Sequence, residues 1–214
     1  IPNSHGLYGK VFLPWEELVT ERTGGRIRWE HFVDKLLHGP LDGFKAVATG
    51  VTDYTHAYAT YQPGSFHLTH GLQLPFLFPS PGVAALVSEE LYPEYLKDEY
   101  ERMGVYLAHC DSTSAYDIIS KTPIRSPSDI RGLKVRATGG LTAAIIRQVG
   151  AVPVVMAAAE TYTAFQRGIL DAVALGGPDM AAYRLHETGN YFTRVGLTHT
   201  VLQYCLSPRT FDGL

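Results

Sequence analysis

Apolar residues along this chain fall into short runs whose period changes from place to place, and the changes mark its elements. Pro14 to Arg22 is spaced as a helix, with Pro14 in its first turn and Leu18 and Val19 apolar, and it stops at Thr23-Gly24-Gly25. Arg26 to Phe32 alternates, which predicts a strand with one buried face. A second helix over about Gly43 to Thr49 leads into a strand at Tyr54 to Ala59, a βαβ rhythm that favours a parallel sheet with helices against it. Gln62 to Pro81 carries Pro63, Pro75, Pro79 and Pro81 and reads as an extended, buried segment. Val83 to about Met103 is a helix pattern interrupted near Pro93, and Gly104 to Ser120 is a strand-rich stretch able to cross between two lobes.

The second half repeats the rhythm. Ser126-Pro127-Ser128-Asp129 predicts a helix cap and first turn. Strands follow at Lys134 to Arg136, Val152 to Met156 and from Ala172, with helices over Leu141 to Val149 and Glu160 to Arg167 between them. Gly196 to Leu206 reads as a strand returning towards the first half. A weak internal echo ties the halves together. Residues 46–53 and 164–171 each read as a helix end, a glycine fit for a left-handed cap (Gly50, Gly168) and an Asp opening an apolar strand. The spacing exceeds any solenoid period, so two comparable α/β units with a cleft between them are the simplest reading; the alternative is that Gly-x-x-Asp is common chemistry for leaving a helix.

Composition narrows the class. At 214 residues, 45% hydrophobic and 18% charged, the chain is globular in character and long enough for one large or two small domains. A net charge of −3 without a dense basic run gives no electrostatic case for nucleic acid. The longest apolar stretches are proline-broken or too short to span a bilayer, and the opening Ile1-Pro2-Asn3 does not read as a signal peptide. Cys110 and Cys205 lack a metal or redox spacing and lie in strand-like runs, where a bridge and two buried thiols are both open.

The candidate chemistry centres on Arg136, a lone guanidinium between a short apolar strand and a glycine-opened helix, beside backbone N–H groups that favour anions. That arrangement suits a carboxylate. Nine histidines could serve acid–base chemistry, but no nucleophile elbow, zinc helix, phosphate loop or dinucleotide fingerprint accompanies them. The sequence therefore offers no catalytic residue, metal-ligand set or cofactor site.

The ordered series Thr23-Gly24-Gly25-Arg26, Gly50-Val51-Thr52-Asp53, Leu74-Pro75-Phe76-Leu77-Phe78, Lys121-Thr122-Pro123-Ile124, Asp129 to Arg136, Gly150-Ala151-Val152-Pro153-Val154, Glu160 to Gln166 and Gly168-Ile169-Leu170-Asp171 resembles the extracytoplasmic solute-binding proteins of TRAP transporters, the tripartite ATP-independent periplasmic carriers of bacteria. The resemblance covers nearly the whole chain. It implies a two-lobed periplasmic binding protein fold of the α/β class, each lobe a mixed sheet flanked by helices, with further C-terminal helices that this sequence lacks. The expected divisions are lobe I at 1–108, a crossing strand or hinge at 109–120, lobe II at 121–198 and a returning strand at 199–214.

By the same resemblance the protein captures a small organic carboxylate in the cleft, with Arg136 clamping it, and delivers it in the periplasm to the membrane carrier subunits. A ligand-sensing domain of the same fold, or an enzyme acting on a carboxylate, is the alternative. Several positions depart from the family: Ala158 and Leu175 stand where polar or aromatic side chains are common, Ala174 where some members place an acidic metal-binding residue, and Ala115 and Tyr116 where some place a second arginine. Small residues there leave volume, which points to a ligand with an apolar or aromatic body. His5, His56, Tyr58, Tyr61 and Tyr116 are the expected polar and aromatic contacts, Gly139, Ala158, Leu175 and Gly176 complete the candidate lining, and Asp179 is a further candidate.

Overall fold

In a computed structural model, residues 8–214 are described. Residues up to Gly39 form one compact unit and Pro40–Leu214 another. In the first, a π-helical turn over Tyr8–Phe12 runs into α1 (Leu13–Arg22), which ends where Thr23 Oγ1 donates to the Val19 carbonyl at 2.9 Å and Gly24 and Gly25 take left-handed φ angles. Arg26 to Phe32 is not the expected strand. No strand pairs with it among the described residues, and an extended segment without a ladder partner is held by side chains instead. Trp29 packs on Trp15 at 5.3 Å and its indole N–H donates to the Glu16 carbonyl at 3.1 Å.

Pro40–Leu214 holds two sheets, and the sequence echo is a structural one. α2 (Gly43–Ala48) ends at Gly50, φ 74°, with Val51 N–H donating back to the Ala46 carbonyl, and the chain then enters β1 (Tyr54–Ala57). α7 (Thr161–Gln166) ends at Gly168, φ 77°, with Ile169 N–H donating to the Ala164 carbonyl, and the chain enters β6 (Ala172–Gly176). Both glycines occupy the left-handed region that a β-carbon disfavours.

Between these two turns lie α3 (His67–Gly71), α4 (Pro81–Leu91), α5 (Lys97–Arg102), β2 (Tyr106–Ser112), β3 (Tyr116–Ser120), β4 (Lys134–Ala137), α6 (Gly140–Gln148) and β5 (Val152–Val155). Beyond β6 come α8 (Gly177–Ala182), β7 (Tyr191–Thr193), β8 (Val201–Leu206) and α9 (Pro208–Asp212). The helix pattern over 83–103 is interrupted as expected, by a π-helical turn over Tyr92–Leu96 that accommodates Pro93. Two expectations need correction. Gln62 to Pro81 contains the short α3 and exposes Leu74, Phe76 and Leu77, so it is neither wholly extended nor wholly buried. Ser126 to Asp129 forms a turn and not a helix start, because the Asp129 carboxylate accepts from the Arg125 and Ser126 N–H groups at 2.9 and 2.8 Å and closes the loop just before β4.

The first sheet has the order β1-β8-β2 and the second β5-β4-β6-β3-β7. Helices flank both, as expected. The second sheet is mixed: β4 is parallel to β5 and β6, while β3 is antiparallel to β6 and β7. The first is antiparallel throughout its described strands, where a mixed sheet was expected, because β8 enters between β1 and β2 running against both. The chain crosses between sheets twice, from β2 to β3 and from β7 to β8. The crossings bond to one another through Thr113 N–H to Thr200 O (2.9 Å), Tyr116 N–H to Thr198 O (2.8 Å) and Leu197 N–H to Tyr116 O (2.8 Å). Cys110 and Cys205 sit on neighbouring β2 and β8 as free, buried thiols. Their register pairs Cys205 with Leu107 and Cys110 with Gln203. Burial pushes the Cys110 thiol up to about 12 and raises that of Cys205.

Candidate functional site

β4 carries Arg136 into the interior because both its flanks are occupied, Arg136 lying beside Val154 of β5 and Val173 of β6. The side chain is 0% exposed. Its Nε donates to the Met156 carbonyl at 3.2 Å, one terminal nitrogen to the Ala174 carbonyl at 3.4 Å and the other to the Tyr61 hydroxyl at 3.4 Å. Among the described residues no carboxylate forms an ion pair with it. A guanidinium has five N–H donors, so these three long bonds leave donor capacity, and a buried cation without a counter-ion is costly. Spare donors on a buried guanidinium are able to bond an anion.

Tyrosines surround this cation. Tyr61 follows β1 in a 3₁₀ turn over Ala59–Tyr61; burial raises its phenol, while the Arg136 charge and the Ala158 backbone N–H pull it down. Tyr58 stands 5.4 Å from the Tyr61 ring and its hydroxyl lies 2.8 Å from His56 Nε2. His56 and Tyr58, two residues apart and so on one face of an extended segment, thus meet. Tyr116 is 2% exposed and accepts from Thr200 Oγ1 at 2.9 Å. Burial raises the Tyr58 and Tyr116 phenols as well, so all three remain neutral donors near pH 7.

Tyr183 was not foreseen. It follows Asp179 by four residues, just past α8, and burial first and the Asp179 charge second push its phenol up to about 12, with Arg136 opposing. The only signal in the sequence was that spacing of four from Asp179. Ser114 was also missed. Its Oγ is buried without a hydrogen-bond partner among the described residues, and nothing in the local pattern marks it.

The remaining candidates serve in different ways. Gly139 has φ 124°, and a β-carbon there would stand 3.2 Å from the Thr60 carbonyl, so glycine permits the close approach of the 59–61 turn. Ala158 borders Tyr61 through its backbone. Leu175 shares a sheet face with Val173, and hence with Arg136, and is packed into the core of the second sheet. A β-carbon on Gly176 would lie 2.6 Å from Ser114 Oγ and 3.1 Å from Asp179 Oδ2. Ala174 contributes its carbonyl to Arg136. His5 lies outside the described residues. A separate cavity of about 460 Å³ at the β7 edge, walled by Met180, His186 and Phe192 among others, includes none of these candidates. No helix among the described residues is long and apolar enough to cross a membrane.

Residues 1–214 match the sequence profile of the family DctP, bacterial extracellular solute-binding protein family 7. The YiiZ protein of Salmonella typhimurium is 30% identical over 181 residues, covering 82% of this chain and 54% of its own length. The chain thus spans little more than half of that relative. Among solved structures, a TRAP periplasmic solute-binding protein of Bordetella bronchiseptica with bound (R)- and (S)-mandelate is 26% identical at a TM-score of 0.92, covering all of this chain and 69% of that one. A TRAP solute-binding protein of Rhodoferax ferrireducens in complex with benzoate shares the fold at a TM-score of 0.94 and 19% identity, covering 100% and 68%.

Proposed function

Because this chain belongs to family 7 of the bacterial extracellular solute-binding proteins, a family of binders and not of enzymes, we propose that it captures a small organic carboxylate, with Arg136 as the anchor. The observation that carries this reading is the wholly buried guanidinium held by two carbonyls and a phenol, with no carboxylate paired to it among the described residues. An arriving carboxylate takes the unused N–H donors in bidentate fashion, the geometry a guanidinium favours and an ammonium cannot reproduce. Neutral phenols around it supply apolar faces and further donors, which suits an aromatic or apolar body on the ligand. The mandelate bound by the Bordetella relative is an acid of that kind.

In the same reading the sheets belong to two lobes that close on the acid by bending the paired crossings at Thr113–Thr200 and Tyr116–Thr198, and the ligand shifts an open and closed equilibrium by its differential affinity. The loaded protein then delivers its acid in the periplasm to the membrane subunits of a TRAP carrier. A thermal-shift screen against mono-, di-, keto- and aromatic carboxylates identifies the acid, since a ligand bound only by the folded state raises the melting temperature. Arg136→Ala is expected to weaken that acid at least about tenfold in calorimetry, since a charge-assisted pair exceeds about 1.4 kcal/mol. Unchanged affinity would remove the anchor.

A further inference from the structure

The Arg136 pole has a counterpart. The pairing of β3 with β6 sets Tyr116 opposite Gly176, which brings Ser114, two residues earlier in the chain, to the point where β6 gives way to α8. There Ser114 Oγ and Asp179 Oδ2 converge over the bare Gly176 α-carbon, a β-carbon at that position being 2.6 Å from one and 3.1 Å from the other. Ser114 Oγ is buried and has no partner among the described residues, a cost the fold carries unless something arrives to bond it. Asp179 and Arg136 act from opposite charge on overlapping sets of phenols, Asp179 on Tyr58, Tyr116 and Tyr183, and Arg136 on Tyr61, Tyr116 and Tyr183. Tyr116 and Tyr183 therefore lie within reach of both poles.

We propose that Ser114 and Asp179, meeting over Gly176, form a specificity subsite for a hydroxyl group on the ligand, so that the acid bound is a hydroxylated one. The proposal rests on the reading of Arg136 as the carboxylate anchor. Hydrogen-bond inventory selects the hydroxyl. A carboxylate only accepts, while a serine hydroxyl both donates and accepts. A ligand hydroxyl donates to Asp179 and accepts from Ser114, matching both groups. An ammonium has no lone pair for the Ser114 proton, and a bare C–H leaves Ser114 as it stands. A site built to bond a hydroxyl rejects the analogue that lacks it more strongly than an apolar pocket rejects a missing methylene.

The test is calorimetric titration of the protein with phenylacetate, mandelate, 3-hydroxyphenylacetate and phenylglycine, which share a ring and a carboxylate and differ in the added group. At least one hydroxylated acid is expected to bind about tenfold or more tighter than phenylacetate, one such hydrogen bond being worth roughly that factor. Ser114→Ala should reduce that advantage to within about threefold while leaving phenylacetate unchanged, and Asp179→Asn should act in the same direction. The Ser114→Ala protein without ligand should melt no lower than wild type, since the variant removes an unbonded hydroxyl, which separates this role from a structural one. Equal binding of hydroxylated and plain acids, an equal loss for both in Ser114→Ala, or a preference for phenylglycine overturns the subsite. Arg136→Ala reads the anchor independently, because its failure leaves all of these acids bound as before.

Discussion

Around the first sheet, long polar side chains reach across elements to grip backbone, whereas around the second the buried polar groups are short hydroxyls, with one exception. In the first region the Glu99 carboxylate accepts from Leu68 N–H (2.7 Å), Thr69 N–H (3.0 Å) and Thr69 Oγ1 (2.8 Å), fixing the start of α3, and Gln203 of β8 accepts from Ala59 N–H (2.9 Å) and donates to the Val201 carbonyl (2.9 Å). In the second, Ser120 donates to the Thr122 carbonyl, Thr138 to Thr142 and Thr161 to the Ala157 carbonyl, all close in sequence, inside a core of Val, Ile, Leu and Ala. The exception is Arg136. A buried polar chain whose donors are used up is part of the architecture; one with donors to spare in an otherwise apolar core is a candidate for function.

The comparison breaks most visibly at Glu99. Glu99→Ala strips two backbone N–H groups of their acceptor in a site that is 2% exposed, and an expected loss of about 3 kcal/mol is read from a shift in the denaturant midpoint. A much smaller loss would mean that water replaces the carboxylate and that the first region is not held by its polar chains. The echoed turns sharpen the comparison at lower cost. Gly50→Ala and Gly168→Ala each force a β-carbon into the left-handed region with no heavy atom closer than 4.0 and 3.8 Å respectively, so each is expected to cost about 1 kcal/mol, and by the same amount. Unequal costs would show that the two turns are alike in shape but not in what surrounds them.

The smallest expected effect is on acid stability, and it falls on the first region. Burial holds His70 and His109 below their ordinary value of 6.5, against the opposing pull of Glu99 and the Ala59 backbone on His70, with His67 adding to the lowering, and of Glu89, Asp111 and the Cys110 backbone on His109. The unfolded chain then binds more protons than the folded one as pH falls through 6.5, so stability declines over that window. His70→Gln and His109→Gln should each flatten the decline of melting temperature with acidification. Below the ordinary value of 4.5 a further loss follows from Glu99, whose carboxyl burial pushes up but the Leu68 and Thr69 bonds hold lower still.

Local chemistry explains why much of this was legible beforehand. The glycine turns, the break at Pro93, the strand carrying Arg136 and the two cysteines in strands all depend on neighbours in sequence, and φ preferences and period-two alternation act at that range. The segment from Arg26 to Phe32 marks where that range ends: alternation proposes a strand, and only a partner ladder makes one.

What the sequence determined by itself was the α/β class, the two glycine turns with the helices and strands beside them, and the presence of one arginine at a strand end, because each is set by residues a few positions apart. The tertiary structure decided that β8 enters the first sheet antiparallel between β1 and β2, that Tyr183 joins the phenols in reach of Arg136, and that Ser114 and Asp179 meet over Gly176. Those facts bring together residues from distant parts of the chain, and only strand register, which is fixed by the packing of whole faces, specifies which of them meet.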